Sequence, residues 1–113
     1  MFEQNSTPDV SSFQTIFLET LDESLSKYGR LTKNAAYRFL EEKYNVRRED
    51  ITLNIRKFVA ALEQMFGPAA LLIEIDVMKN MQQKIPSLKL QAENAGFDFA
   101  KYLESAKYFI QTL

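Results

Sequence analysis

The chain has no cysteine, no histidine and no tryptophan, and only three glycines and three prolines among its 113 residues. Without cysteine there is no disulfide, no thiol nucleophile and no thiolate metal site. Without histidine the chain lacks the commonest general base and the commonest zinc ligand. So few turn-forming residues argue against an all-β domain, which needs a Gly/Pro-rich turn every 8–12 residues or so. No uninterrupted apolar run approaches the roughly 18 residues that a membrane span requires. The opening residues, Met1 to Ser12, are polar and lack the charged-then-apolar pattern of a signal peptide. The protein is therefore expected to be cytoplasmic, without membrane contact.

What is present suits one helical domain. Hydrophobic residues make up 46% and charged residues 26%, with nine Phe and five Tyr as bulky packing groups. A chain of this length buries roughly 65% of the surface its unfolded form exposes, enough for one core without staples. The net charge of −1 conceals an asymmetry. Residues 1–26 hold five acids and no base, whereas residues 27–57 hold nine bases against four acids. Every arginine lies between 30 and 56. Arginine is the preferred partner of phosphates and interface carboxylates, so this clustering bears on partners.

Periodicity predicts five helices after a disordered tail at 1–6, in one domain over 7–113. The first starts near Thr7-Pro8 or Ser11-Ser12, aligns Val10, Phe13, Phe17, Leu21, Ser24 and Tyr28, and stops at Gly29. The second runs over 33–44, with Thr32 as its cap and Asn45 ending it in a left-handed conformation. A turn-rich connector follows, in which Ile51 and Leu53 are expected to plug the core. The third covers 55–66 behind Asn54, with Ile55, Phe58, Val59, Leu62 and Phe66 on one face. Gly67-Pro68 ends it and opens the fourth, 68–85, whose apolar residues spread over more than half its circumference. Such a helix is expected to be central and most buried. The fifth spans 91–112 and is expected to bend near Gly96. The fold class is all-α, a five-helix bundle around residues 68–85.

Chemistry is hard to find. There is no Gly-rich phosphate loop, no serine motif and no set of carboxylates at metal spacing, and the neighbours Glu41-Glu42 and Glu49-Asp50 point about 100° apart on a helix. No cofactor, metal or catalytic residue is expected. Glu74 is the exception to ordinary patterning: it lies in the middle of the apolar arc of the fourth helix and is expected to be buried and hydrogen-bonded, to a Tyr hydroxyl or an Arg. Arg38, Lys43, Arg47, Arg48 and Arg56 are the candidate contacts for a phosphate or an acidic partner. Phe97, Tyr102, Tyr108 and Phe109 are the candidate surface for self-association, since aromatics are enriched at interfaces. The acidic first helix and the basic 27–57 segment could then add complementary charge across a two-fold contact.

Several positions between 18 and 85 carry a family likeness. They run from Leu21 and Leu25 through Tyr28-Gly29 to the block Ala36-Tyr37-Arg38-Phe39-Leu40-Glu41-Glu42-Lys43-Tyr44-Asn45-Val46-Arg47-Arg48-Glu49-Asp50-Ile51. Phe58, Ala61-Leu62, Phe66-Gly67 and Ile73-Glu74 continue it. This pattern resembles the archaeal Nitrosopumilus output domain family, type five. The resemblance implies an archaeal, intracellular helical module, standing alone or serving as a signalling output domain, and it implies no catalytic residues. Pro68-Ala69-Ala70 departs from it where another glycine would stand, and residues 86–113 have no counterpart. The expected function is a non-enzymatic protein-interaction module, a homodimer. The alternatives are a nucleic-acid-binding regulator using residues 30–57 and a small enzyme using Glu74 as acid or base.

Overall fold

A computed structural model describes residues 10–96 and 98–112. The proposed tail at 1–6, the first helix's start at Thr7-Pro8, the side chain of Val10, and Phe97 lie outside the described residues. Within them the fold is all-α, with no strand. Six helices follow in order: α1 (Val10–Ser26), α2 (Arg30–Tyr44), α3 (Ile55–Phe66), α4 (Ala70–Lys84), α5 (Lys89–Ala95) and α6 (Phe99–Gln111). Three 3-10 turns, at Arg48–Leu53, Gly67–Ala69 and Pro86–Leu88, join them.

The hub is α1, not the 68–85 segment. It packs against α2, α4, α6 and the Arg48–Leu53 turn. Its expected face is buried at Phe13, Phe17, Leu21 and Ser24, and burial extends to Leu18, Thr20 and Leu25. Tyr28, past the helix end, is exposed. The hub position leaves two hydroxyls to satisfy. Thr20 Oγ1 donates to the Ile16 carbonyl at 2.7 Å and accepts from Lys84 Nζ at 2.9 Å, and Ser24 Oγ accepts from Asn80 at 3.3 Å. A third link, Lys27 to Asp76 at 2.7 Å, completes a ladder in which 20, 24 and 27 meet 84, 80 and 76, so α1 and α4 run antiparallel. Asp76, Asn80 and Lys84 of α4 therefore reach α1, whereas Lys79 and Gln83 face solvent. Ala70, Ile73, Val77 and Met81 of α4 are buried, but Leu71 and Leu72 are on the surface, Leu72 62% exposed. A wide apolar arc here means one buried half and one outward half.

The connectors follow their turn chemistry with three departures. Gly29, with φ 99, precedes α2, so the helix begins at Arg30 and Thr32 lies inside its first turn. Asn45 does end α2 in the left-handed region, φ 57. The connector after it is a 3-10 turn. Ile51 is fully buried as expected, but Leu53 is 68% exposed. At three residues per turn, positions two apart point about 120° away from each other, so one turn cannot bury both. Gln14 Nε2 donates to the Glu49 carbonyl and Lys107 Nζ to the Thr52 carbonyl, each at 2.8 Å, tying the turn to α1 and α6.

The third departure is at the C-terminal end. The expected single helix 91–112 is two helices. Gly96 takes φ 65 and ψ −124, a region essentially closed to residues with a Cβ, and the chain cannot stay helical through it. Asp98 then starts α6 afresh, its Oδ1 accepting from the Lys101 backbone N–H at 2.9 Å.

By length and composition, Ile55–Lys84 includes a stretch apolar enough to cross a membrane, with mean hydropathy 1.5, contrary to the expectation from uninterrupted runs. The 3-10 turn at Gly67–Ala69 separates its two helices, and α3 and α4 pack on one another. Of that apolar stretch, 39% is buried inside the fold.

Candidate functional site

Four of the nine basic residues in 27–57, Lys27, Arg47, Arg48 and Arg56, form ion pairs within the fold. Arg48 grips Asp22 of α1 through two bonds, Nη2 to Oδ2 at 2.6 Å and Nε to Oδ1 at 3.2 Å. The Tyr37 hydroxyl donates to the same Oδ1 at 2.5 Å, and the guanidinium carbon lies 5.9 Å from the centre of the Tyr37 ring. One carboxylate thus holds α1, α2 and the 3-10 turn together. Partial burial pushes the Asp22 carboxyl up, but the Arg48 and Tyr37 hydrogen bonds outweigh it and hold it below its ordinary value. Burial, then the Asp22 charge, pushes the Tyr37 hydroxyl up, so it stays protonated. Arg56 pairs with Glu104 of α6 at 2.8 and 3.2 Å, and Arg47 stands 3.8 Å from Glu49. Only Arg38 and Lys43, of the five proposed contacts, are exposed without an ion-pair partner among the described residues. Part of the charge expected to meet across a two-fold contact is engaged within the fold, since Asp22 holds Arg48 and Glu23 takes Lys84 at 3.1 Å.

Glu74 is buried as expected, only 4% exposed, but its expected partner is missing. Among the described residues no tyrosine or arginine hydrogen-bonds to it, and its Oε2 has no hydrogen-bond partner. Burial pushes its carboxyl up to about 7, and the negative charges of Glu63 on α3 and Asp98 ahead of α6 act in the same direction. Its neighbours could not have been read from the sequence, because Glu63 and Asp98 belong to different helical periods.

The aromatic set divides three ways. Tyr102 is fully buried and belongs to the core, not to a contact surface. Among the described residues its hydroxyl makes no hydrogen bond of good geometry; burial pushes it up to about 12, and the Gln82 side chain nearby acts the other way. A buried hydroxyl without a partner adds desolvation cost and little else. Tyr102→Phe is therefore expected to keep or slightly raise stability, which urea unfolding followed by circular dichroism will measure. Phe109 is half-buried against the core. Tyr108 is 70% exposed and faces outward from α6.

Tyr108 stands between two grooves. On one side a groove of about 190 Å³ runs between Thr52, Leu53, Ile55, Lys107 and Gln111. On the other a groove of about 450 Å³ is bordered by Gln91, Lys101, Ser105, Phe109 and Thr112. Glu104 borders both. The exposed Leu53 therefore shares a face with Tyr108, a neighbour that the sequence reading had assigned to the core. A small space between α1, α2 and α3, lined by Leu25, Leu40, Phe58 and Leu62, measures about 10 Å³, room for about one water, and a groove of about 310 Å³ lies beside Lys79, Gln82, Gln83, Pro86 and Lys89. Compared with family models, curated proteins and solved structures, the chain matches none. Among the described residues, no three carboxylates are grouped as a metal site requires. The outer face of α6 is the most developed candidate surface that these residues make.

Proposed function

We propose that the chain is a helical protein-interaction module that pairs with a second copy of itself through the outer face of α6 and the adjoining 3-10 turn. The observation that carries this reading is Tyr108, an exposed aromatic with a groove on each side and exposed Leu53 beside it. A two-fold contact needs knob and hole on the same face, because each copy offers the same patch to the other. Tyrosine suits the knob, with a large apolar body and a hydroxyl that can stay wet. Apolar burial supplies the affinity here, since exposed ion pairs are worth little. The engagement of Arg48 and Arg56 within the fold takes two cations out of the segment that nucleic-acid binding would use.

Sedimentation velocity over about 1–100 µM tests the proposal, a range suited to a modest apolar contact. The expected result is a species of twice the 13.1 kDa chain mass, weakened about tenfold or more by Tyr108→Ala or Leu53→Ser. A single-chain mass throughout, or a dimer indifferent to both substitutions, contradicts it.

A further inference from the structure

Where α4 packs on α3, the fold holds a carboxylate that the pairing surface does not use. Glu74 is buried, its Oε2 is unpartnered, and the charged groups that bear on it are Glu63 and Asp98, both negative. The remaining charges near α4 are engaged elsewhere. Lys27 and Glu23 of α1 hold Asp76 and Lys84, on the stripe of α4 that faces α1. Lys79 bears on Asp76. With both Glu74 and Glu63 ionised, the junction places unneutralised charge at a buried position, which is costly. With a proton on Glu74, the neutral carboxyl can donate to the Glu63 carboxylate, and the cost disappears.

We propose that Glu74 is a proton-operated latch, holding α4 against α3 when protonated and loosening that junction when ionised. The sign follows from the direction of the shift. An acid that is harder to ionise in the closed form favours closure at low pH, and that advantage fades as pH rises through its closed-state value. The carboxyl ordinarily titrates near 4.5 and is pushed up to about 7 here, so the latch works across near-neutral pH.

Hydrogen exchange on the whole chain, corrected for the intrinsic pH dependence, reads the latch. Between about pH 5 and about pH 8, amides of Leu71–Met78 are expected to lose about tenfold or more of their protection relative to α2. Glu74→Gln, which keeps the shape and cannot ionise, is expected to abolish that difference. Glu63→Gln removes one of the repelling charges and is expected to move the midpoint to lower pH. A carbon-13 titration of the Glu74 carboxyl in the unaltered chain needs no variant to fold. A midpoint below about 5, in the ordinary carboxylate range, would overturn the latch, as would unchanged pH dependence in Glu74→Gln.

Discussion

Phe17→Ala is expected to lower the unfolding free energy by about 3–5 kcal/mol, the range for removing a buried phenyl ring and leaving a cavity. Phe17 is fully buried on the hub helix. It stacks on Phe13 with centroids 5.7 Å apart and meets Phe58 of α3 edge-on, also at 5.7 Å. Phe58 in turn approaches Phe99 of α6 at 6.5 Å, so one ring connects three helices through aromatic contacts. The site cannot collapse onto the gap without moving α3 or α6. Phe17→Leu keeps more of the volume and is expected to cost less than the alanine substitution. Urea unfolding checks both. A loss of under about 1 kcal/mol for the alanine variant would mean that α1 is not the packing centre.

Asp22→Ala is expected to cost about 2 kcal/mol, because it strands a guanidinium and a phenol hydroxyl together. Charged hydrogen bonds contribute about 1.5–3 kcal/mol, and the upper end is discounted because the pair is about one-third exposed, Arg48 at 39% and Asp22 at 32%. Its pH sign is opposite to that of Glu74. The Asp22 carboxyl is held below 3.8, so its contribution is present above that value and is lost as pH falls through its folded value. Glu74, pushed from 4.5 to about 7, favours the fold below 4.5 and ceases to do so as pH rises through about 7. Stability followed against pH should therefore lose its acid limb in part in Asp22→Ala and its neutral limb in Glu74→Gln. If both variants keep the unaltered profile, these carboxyls are not the groups that set it.

Local chemistry was readable from the sequence, and long-range pairing was not. The bounds of α3, the left-handed Asn45 and the stop at Gly67 depend on residues close in sequence, and the structure has them as expected. The break at Gly96 was anticipated as a bend; its severity comes from a backbone conformation that composition does not reveal. The partners of the arginines were hidden, because Arg48 reaches 26 residues back to Asp22 and Arg56 reaches 48 residues forward to Glu104. A charge run looks the same whether its members face solvent or each other's helices. The hub was misassigned for a related reason. Thr20 of α1 and Asn80 of α4 look like surface chemistry in either helix alone, and only the pairing of the two helices marks the face as internal.

The candidate surface was half legible. Tyr108 was expected to be exposed, and its place opposite Phe99 and Leu103 on the helical wheel was enough to say so. Leu53 was assigned to the core because an isolated leucine in a connector usually plugs something; the 3-10 period turned it outward beside Tyr108. Tyr102, three positions from Phe99 and one from Leu103, widened the buried stripe instead of the exposed one.

The pairing of two chains through α6 is tested most directly by residue-resolved NMR across a dilution series. The account predicts concentration-dependent shifts confined to Thr52–Ile55 and Glu104–Thr112, with α2 and the Leu71–Leu72 surface unmoved, and the same shifts absent in Tyr108→Ala. Shifts centred on α2 or on Leu71–Leu72, or no shift at any concentration, would contradict it.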